Sequence, residues 1–273
     1  MIMILKNNKI FTLLVLLAFT ATGLNAQDLV ILHTNDTHSQ ILPETTGYGK
    51  GLGGYERREK YINSVRASHK NVLLLDAGDF SQGTPFFNIY KGDLEISLMN
   101  TLKYDVACIG NHEFDNGQDE LARRINNASF KVVCANYNFS GTPLNNIIKP
   151  YTIVNKAGKK IGIIGLITNL KRLVSPKSLI NMNYSNPIHV ADSIGKKLVE
   201  EERCDLVIAL THLGYSSDTT LAKTSKYIDI IIGGHSHTNL TEKESFKNLD
   251  GKEVIVLQDG EKGEHVGRLD LWF

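Results

Sequence analysis

Residues 106–115 read Val-Ala-Cys-Ile-Gly-Asn-His-Glu-Phe-Asp. A short apolar run passes through one glycine straight into an amide, an imidazole and two carboxylates. Such groups are costly to take out of water unless something pairs with them, so a metal ion or a bound anion is expected where this strand ends. The same punctuation recurs along the chain. Val30-Ile31-Leu32 leads to Asn35-Asp36-Thr37-His38, and Val72–Leu75 to Asp76-Ala77-Gly78-Asp79. Val207–Leu210 leads to Thr211-His212, and Ile230–Ile232 to Gly233-Gly234-His235-Ser236-His237. Ligand sites in α/β sheets lie beyond the carboxyl ends of strands, so five such endings predict one convergent site.

The apolar runs themselves set the fold class. Leu29–Leu32, Val72–Leu75, Asp105–Ile109, Val132–Ala135, Ile161–Leu166, Leu206–Leu210, Ile228–Ile232 and Val254–Leu257 are mostly apolar at successive positions rather than alternating. That is the pattern of strands covered on both faces. Helix-like stretches at Tyr55–Ser68, Leu94–Leu102, Gln118–Asn126, Val190–Glu201 and Asp218–Lys226 fall between several of them, which argues for a layered α/β fold. Lys156-Ala157-Gly158-Lys159 reads as a hairpin turn between two strands. Asn136–Pro150, rich in Asn, Gly and Pro, reads as a loop. The closing HVGRLDLWF reads as a strand packed on its own sheet, although Trp272 and Phe273 are also suited to docking a partner.

Composition bounds the partners. Of 273 residues, 42% are apolar and 22% charged, enough for a sizeable core. Residues 1–26 carry Lys6 and Lys9 ahead of a short apolar stretch and end in small and polar residues. This predicts a secretory signal, with residues 27–273 as the mature domain. The apolar stretch is short for a stable membrane anchor. Removing it takes two lysines and no acid, so the net charge moves from +1 to −1. Bulk charge therefore gives no basis for binding polymeric nucleic acid. Cys108, Cys134 and Cys204 lie in or beside apolar runs without CxxC spacing. They read as free thiols rather than as a disulfide framework or a thiolate metal site.

Imidazole, carboxylate and amide without thiolate suit a divalent ion such as zinc, manganese or iron. The donors outnumber what one tetrahedral ion uses, which predicts two ions. In extended backbone, residues i and i+2 point the same way, so Asp36 and His38 are expected to aim at one point, and His235 and His237 likewise. Asn111 and His112, being adjacent, are expected to diverge. Glu113 and Phe114 read as a turn-stabilising acceptor and a core anchor, and His33 as a group behind Asp36. Asn35-Asp36-Thr37 fits a glycosylation sequon, discounted because a sugar there would block the site.

The ordered set D-T-H, G-D, G-N-H-E-F-D, T-H-L-G and G-G-H-S-H resembles the calcineurin-like metallophosphoesterases. LHTNDTHSQ, DAGDFSQGTP, CIGNHEFDNG and QDGEKGEHVGRLDL are similar to the 5′-nucleotidase subgroup, in its N-terminal metal-binding domain. The resemblance runs from Leu29 to about Leu271. It implies an α/β sandwich of two central mixed sheets flanked by helices. It also implies that Asp36, His38 and His237 hold one ion, that Asp79 bridges, and that Asn111, His212 and His235 complete the second site. His112 and Asp115 match the family's catalytic dyad. Some 5′-nucleotidases have Gln where this chain has His237.

The implied activity is hydrolysis of small phosphate esters, nucleotides among them, by a hydroxide held between the ions, in an exported and periplasmic protein. The second, C-terminal domain of full-length 5′-nucleotidases supplies the nucleoside pocket, and no such pocket is assignable in this sequence. A catalytic half that works with a separately encoded C-terminal domain is therefore an alternative. So are a metal-binding interaction protein and hydrolysis of a sulfur ester.

Overall fold

The computed structural model describes residues 29–47 and 49–273; the signal sequence expected over residues 1–26 lies outside them. In chain order the elements are β1 (Leu29–Thr34), α1 (Tyr55–Ser68), β2 (Val72–Asp76), α2 (Pro85–Tyr90), α3 (Asp93–Leu102), β3 (Val106–Cys108), α4 (Gly117–Asn126) and β4 (Lys131–Val133). There follow β5 (Tyr137–Asn138), β6 (Tyr151–Lys156), β7 (Lys159–Ile167), β8 (Asn183–Tyr184), α5 (Pro187–Glu200), β9 (Leu206–His212) and α6 (Tyr215–Thr224). The chain closes with β10 (Ile230–Ile232), β11 (Glu244–Lys247), β12 (Glu253–Leu257) and β13 (Gly267–Leu271).

Two mixed sheets stack face to face. One has the order β13-β1-β2-β3-β4, the other β11-β12-β10-β9-β7-β6. Strands β1 to β4 are parallel neighbours with β13 antiparallel at one edge. In the second sheet β7, β9, β10 and β12 are parallel, and the antiparallel β6 and β11 form the edges.

Side-chain alternation assigns each strand residue to a layer. Leu29, Ile31, Leu73 and Leu75 face Ile208, Leu210, Ile230 and Ile232 across the space between the sheets. Val30, Leu32, Val72 and Leu74 face outward beneath α1, α3 and α4, joining Ile62, Ile96, Met99 and Leu121. Val207, Ala209 and Ile231 face outward beneath α5 and α6, joining Ala191, Leu198 and Leu221. Both faces of the central strands are thus covered, which is why they read as unbroken apolar runs.

The expected hairpin is present. Lys156 pairs with Lys159 across Ala157 (φ 54°) and Gly158 (φ 71°), the two left-handed positions of a tight primed turn. The stretch expected to be a loop differs in one respect: Tyr137–Asn138 form β5, paired antiparallel with β8. Strand β13 packs on β1 as expected, while Trp272 just beyond it is 71% exposed. Cys108 and Cys134 are buried and Cys204 half-buried, all as free thiols.

Candidate metal centre

Beyond their carboxyl ends, β1, β2 and β3 of one sheet and β9 and β10 of the other converge at one edge of the sandwich. The first sheet contributes Asp36, His38, Asp79, Asn111 and His112, the second His212, His235 and His237. The join is direct: the backbone N–H of His235 donates to Asp36 Oδ2 at 2.9 Å, and His212 Nδ1 lies 2.8 Å from the Ala77 carbonyl oxygen.

Three groups of donor atoms, each drawn together within 4.8 Å, result: Asp36, His38 and His237; Asp79, His212 and His235; and His38, Asp79 and His112. The third shares His38 with the first and Asp79 with the second, so it lies where the other two meet. His235 and His237 face different groups rather than one point, contrary to the expectation from their spacing. The physical reason is that the backbone is not extended. Asp36, His38, Asp79, His235 and His237 have φ of 48°, 46°, 54°, 78° and 52°, in the left-handed region where Asp and His are among the few tolerated residues. Asp36 and His38 do share a group, through turns rather than through strand alternation.

Glycine makes room for the turns. A Cβ on Gly78, which has φ 91°, would stand 2.6 Å from the Gly110 nitrogen, and one on Gly110 would stand 2.1 Å from Asp79 Oδ1. Glu113 then locks the two loops together. Fully buried, it accepts hydrogen bonds from the backbone N–H groups of Asp79 (2.9 Å), Ser81 (3.0 Å) and Gly110 (2.6 Å). The His112 N–H donates to Asp79 Oδ1 at 2.8 Å. Glu113 and Phe114 therefore have the structural roles expected of them.

The donor atoms crowd toward a shared space and several of them lack a hydrogen-bond partner, which is the arrangement ligands of a common ion have. His212 Nε2 is 3.0 Å from Asp79 Oδ2, yet it has no hydrogen-bond partner among the described residues. His38 Nε2 and His237 Nε2 approach to 3.1 Å. The side-chain carbonyl of Asn111, 6% exposed, is likewise unpartnered. Buried polar atoms are rarely left so, and this donor set fits divalent ions of the zinc, manganese or iron kind.

Without a cation, protons take up the charge. Burial works to lower the His212 pKa, but the Asp79 and Asp36 carboxylates outweigh it and push it up to about 10. Burial tends to raise Asp79, but the charge and contact of His212 bring it well below the ordinary range. His38 and His235 are lowered, first by burial. His112 is raised, first by its 2.9 Å hydrogen bond from Nδ1 to Asp115 Oδ2. Asp115 is thus turned to His112, and α4 is capped by Asn116 without any side-chain hydrogen bond.

The model of the calcineurin-like phosphoesterases matches residues 29–239. The chain belongs to that family. The chain is 36% identical over 268 residues to the venom 5′-nucleotidase of Naja atra, covering 90% of this chain and 50% of that protein. It is 31% identical over 271 residues to a 5′-nucleotidase of Homo sapiens, covering 91% and 47%. The crystal structure of a 5′-nucleotidase precursor from Thermus thermophilus superposes with a TM-score of 0.83 at 36% identity, covering 90% and 51%. The chain thus spans about half the length of these relatives.

Residues outside the expected set also reach the site. Glu261 Oε2 lies 3.1 Å from His237 Nδ1. Asn35, 2% exposed, donates from Nδ2 to Asp36 Oδ2 at 2.6 Å, so burial as well as position argues against a sugar there. The one available signal for Glu261 was its place in QDGEKG, a stretch similar to the family's but without an assigned role. His33 is buried, with its pKa lowered to about 4 by desolvation, and its Nδ1 lies 3.8 Å from Asp259 Oδ1. His69, His189 and His265 are in none of the donor groups.

Proposed function

We propose that residues 27–273 form an exported, periplasmic phosphoesterase domain that uses two divalent ions to hydrolyse small phosphate esters, nucleotides among them. Asp36, His38 and His237 hold the first ion, Asn111, His212 and His235 the second, and Asp79 stands between them. The observation that carries this reading is the pair of carboxylate–imidazole groups that crowd a shared space, with the buried His212 Nε2 and the Asn111 carbonyl left unpartnered. The ions, when bound, supply Lewis acidity and an activated water.

The remaining roles fall to the chain itself. His112 stands beside both groups through His38 and Asp79, with its side chain 32% exposed toward solvent. Asp115 fixes its Nδ1 proton, so Nε2 is turned to the substrate. Protonated, His112 neutralises charge developing on a phosphoryl oxygen and can donate a proton to the leaving oxygen, an effect of about 10²–10⁴-fold. The Asp115 hydrogen bond on Nδ1 favours that form. Ser81, an alternative nucleophile by residue type, is buried and accepts a hydrogen bond from Arg124 at its Oγ, so the reading requires no phosphoenzyme.

A second reading concerns the partner. Because the chain matches about half of each 5′-nucleotidase, nucleotide selectivity is assigned to a further domain that docks on this one. One experiment tests both readings. Purified protein is analysed for bound metal and assayed for phosphate release from AMP, a 2′,3′-cyclic nucleotide and an aryl phosphate, alongside His112→Ala. Turnover lost in the variant with metal retained supports the catalytic reading. Turnover of AMP at low KM removes the need for a partner. Absence of bound metal after reconstitution overturns the proposal.

A further inference from the structure

The loop after β12, Gln258–Lys262, is clasped to the end of β1. Asn35 accepts the Asp259 N–H at 3.0 Å and donates to the Gly260 carbonyl at 2.7 Å, and the Lys262 N–H donates to the Asp36 carbonyl at 2.6 Å. These bonds fix the backbone on both sides of Glu261, and its carboxylate stands 3.1 Å from His237 Nδ1. In the other donor group, His212 has a backbone carbonyl, that of Ala77, beside Nδ1. His38 Nδ1 has no partner among the described residues. Each of the two outer groups therefore has one oriented imidazole, but one is oriented by main chain and the other by a replaceable side chain.

We propose that Glu261 is a positioning residue for the first ion. It holds the proton on His237 Nδ1, presents Nε2 to the metal and raises the basicity of that ring. The inference rests on the two-ion reading above. Outer carboxylates that orient a metal-bound histidine typically contribute about 10–100-fold in affinity, so Glu261 sets the affinity of one ion and leaves the other unchanged.

The test is calorimetric titration of the metal-free full chain with Zn²⁺ and with Mn²⁺, with stoichiometry checked by elemental analysis. It uses wild type, Glu261→Ala, Glu261→Gln, His237→Gln and the double variant His237→Gln/Glu261→Ala. The expected result is two binding steps in wild type. Glu261→Ala weakens one of them by tenfold or more, and Glu261→Gln, which keeps an accepting oxygen, weakens it less. In the His237→Gln background the alanine change has no further effect, because an amide has no ring nitrogen to orient. Unchanged melting of metal-free Glu261→Ala separates this from a folding defect. A loss below tenfold in Glu261→Ala, or an equal loss with and without His237, overturns the inference while leaving the two-ion reading intact. A wild-type chain that binds no ion overturns both.

Discussion

Replacing Glu113 by Gln is expected to weaken the fold and the metal site together. The side chain is fully buried and receives three backbone N–H groups, two on Oε2 and one on Oε1. Burial and the charge of Asp79 push its pKa up, and the Gly110 N–H works against them. In the Gln variant one oxygen can still take Asp79 and Gly110, but an NH₂ group then faces the Ser81 N–H. One buried donor is left unsatisfied, at a cost of about 1–3 kcal/mol, and the remaining two bonds lose their charge assistance. A total of about 2–4 kcal/mol follows, which for a chain of this size lowers Tm by about 4–16 °C. Glu113→Ala strands all three donors and costs more. Thermal melting of the metal-free proteins reads the stability, and metal titration reads the site, since the bond that holds the left-handed backbone of Asp79 in place is weakened to a neutral one in Glu113→Gln and lost in Glu113→Ala. A Glu113→Gln variant that melts within about 1 °C of wild type and binds metal normally would refute the reasoning.

Three further outcomes are expected. With His212 held protonated in the metal-free site, its pKa pushed up to about 10, metal binding at pH 7 must release a proton. Affinity should then rise about tenfold per pH unit between pH 6 and 9, checked by calorimetry in buffers of different ionisation enthalpy; a pH-independent affinity contradicts it. Gly78→Ala meets both a left-handed φ and the Gly110 nitrogen at 2.6 Å, at a cost of about 2–6 kcal/mol, and should melt at least about 4 °C lower and lose metal. Asp218 is buried, and desolvation raises its pKa to about 7 while the Thr211 hydroxyl bonded to it works against the shift. Folding therefore favours its protonated form, and that stability is complete below about pH 4 and lost as the pH rises to about 7. Asp218→Asn should consequently gain on wild type by about 1.4 kcal/mol per pH unit over that range, read from urea denaturation of metal-free protein; parallel curves would contradict it.

Much of the fold was legible because its strands carry their own signal. The eight apolar runs became β1, β2, β3, β4, β7, β9, β10 and β12, and Tyr55–Ser68 became α1 with those same limits. The elements not foreseen have weak local signals. Strand β11 is an edge strand of sequence Glu-Ser-Phe-Lys, and β5 and β8 are two residues each, paired only through tertiary contact. Helix α2, Pro-Phe-Phe-Asn-Ile-Tyr, is too short for a periodicity to show. At the site, the meeting of the strand-end polar groups was legible and their geometry was not. The strand-end polar groups do converge, but the spacing rule assumed extended backbone at Asp36, His38, His235 and His237, and all four have positive φ. Glu261 lies more than twenty residues from its histidine, beyond the reach of any local pattern.

Those left-handed angles also bear on how this site can drift over generations. At five of the positions assigned to metal, the backbone screens a substitution before coordination chemistry does. Asp, Asn, His and Gly pass that screen more readily than other residues, and β-branched residues fail it. A lineage under pressure for a different metal would therefore more readily exchange Asp, Asn and His among themselves there. Bulkier innovations would fall to Asn111 and His212, whose backbones are unstrained, or to outer residues such as Glu261.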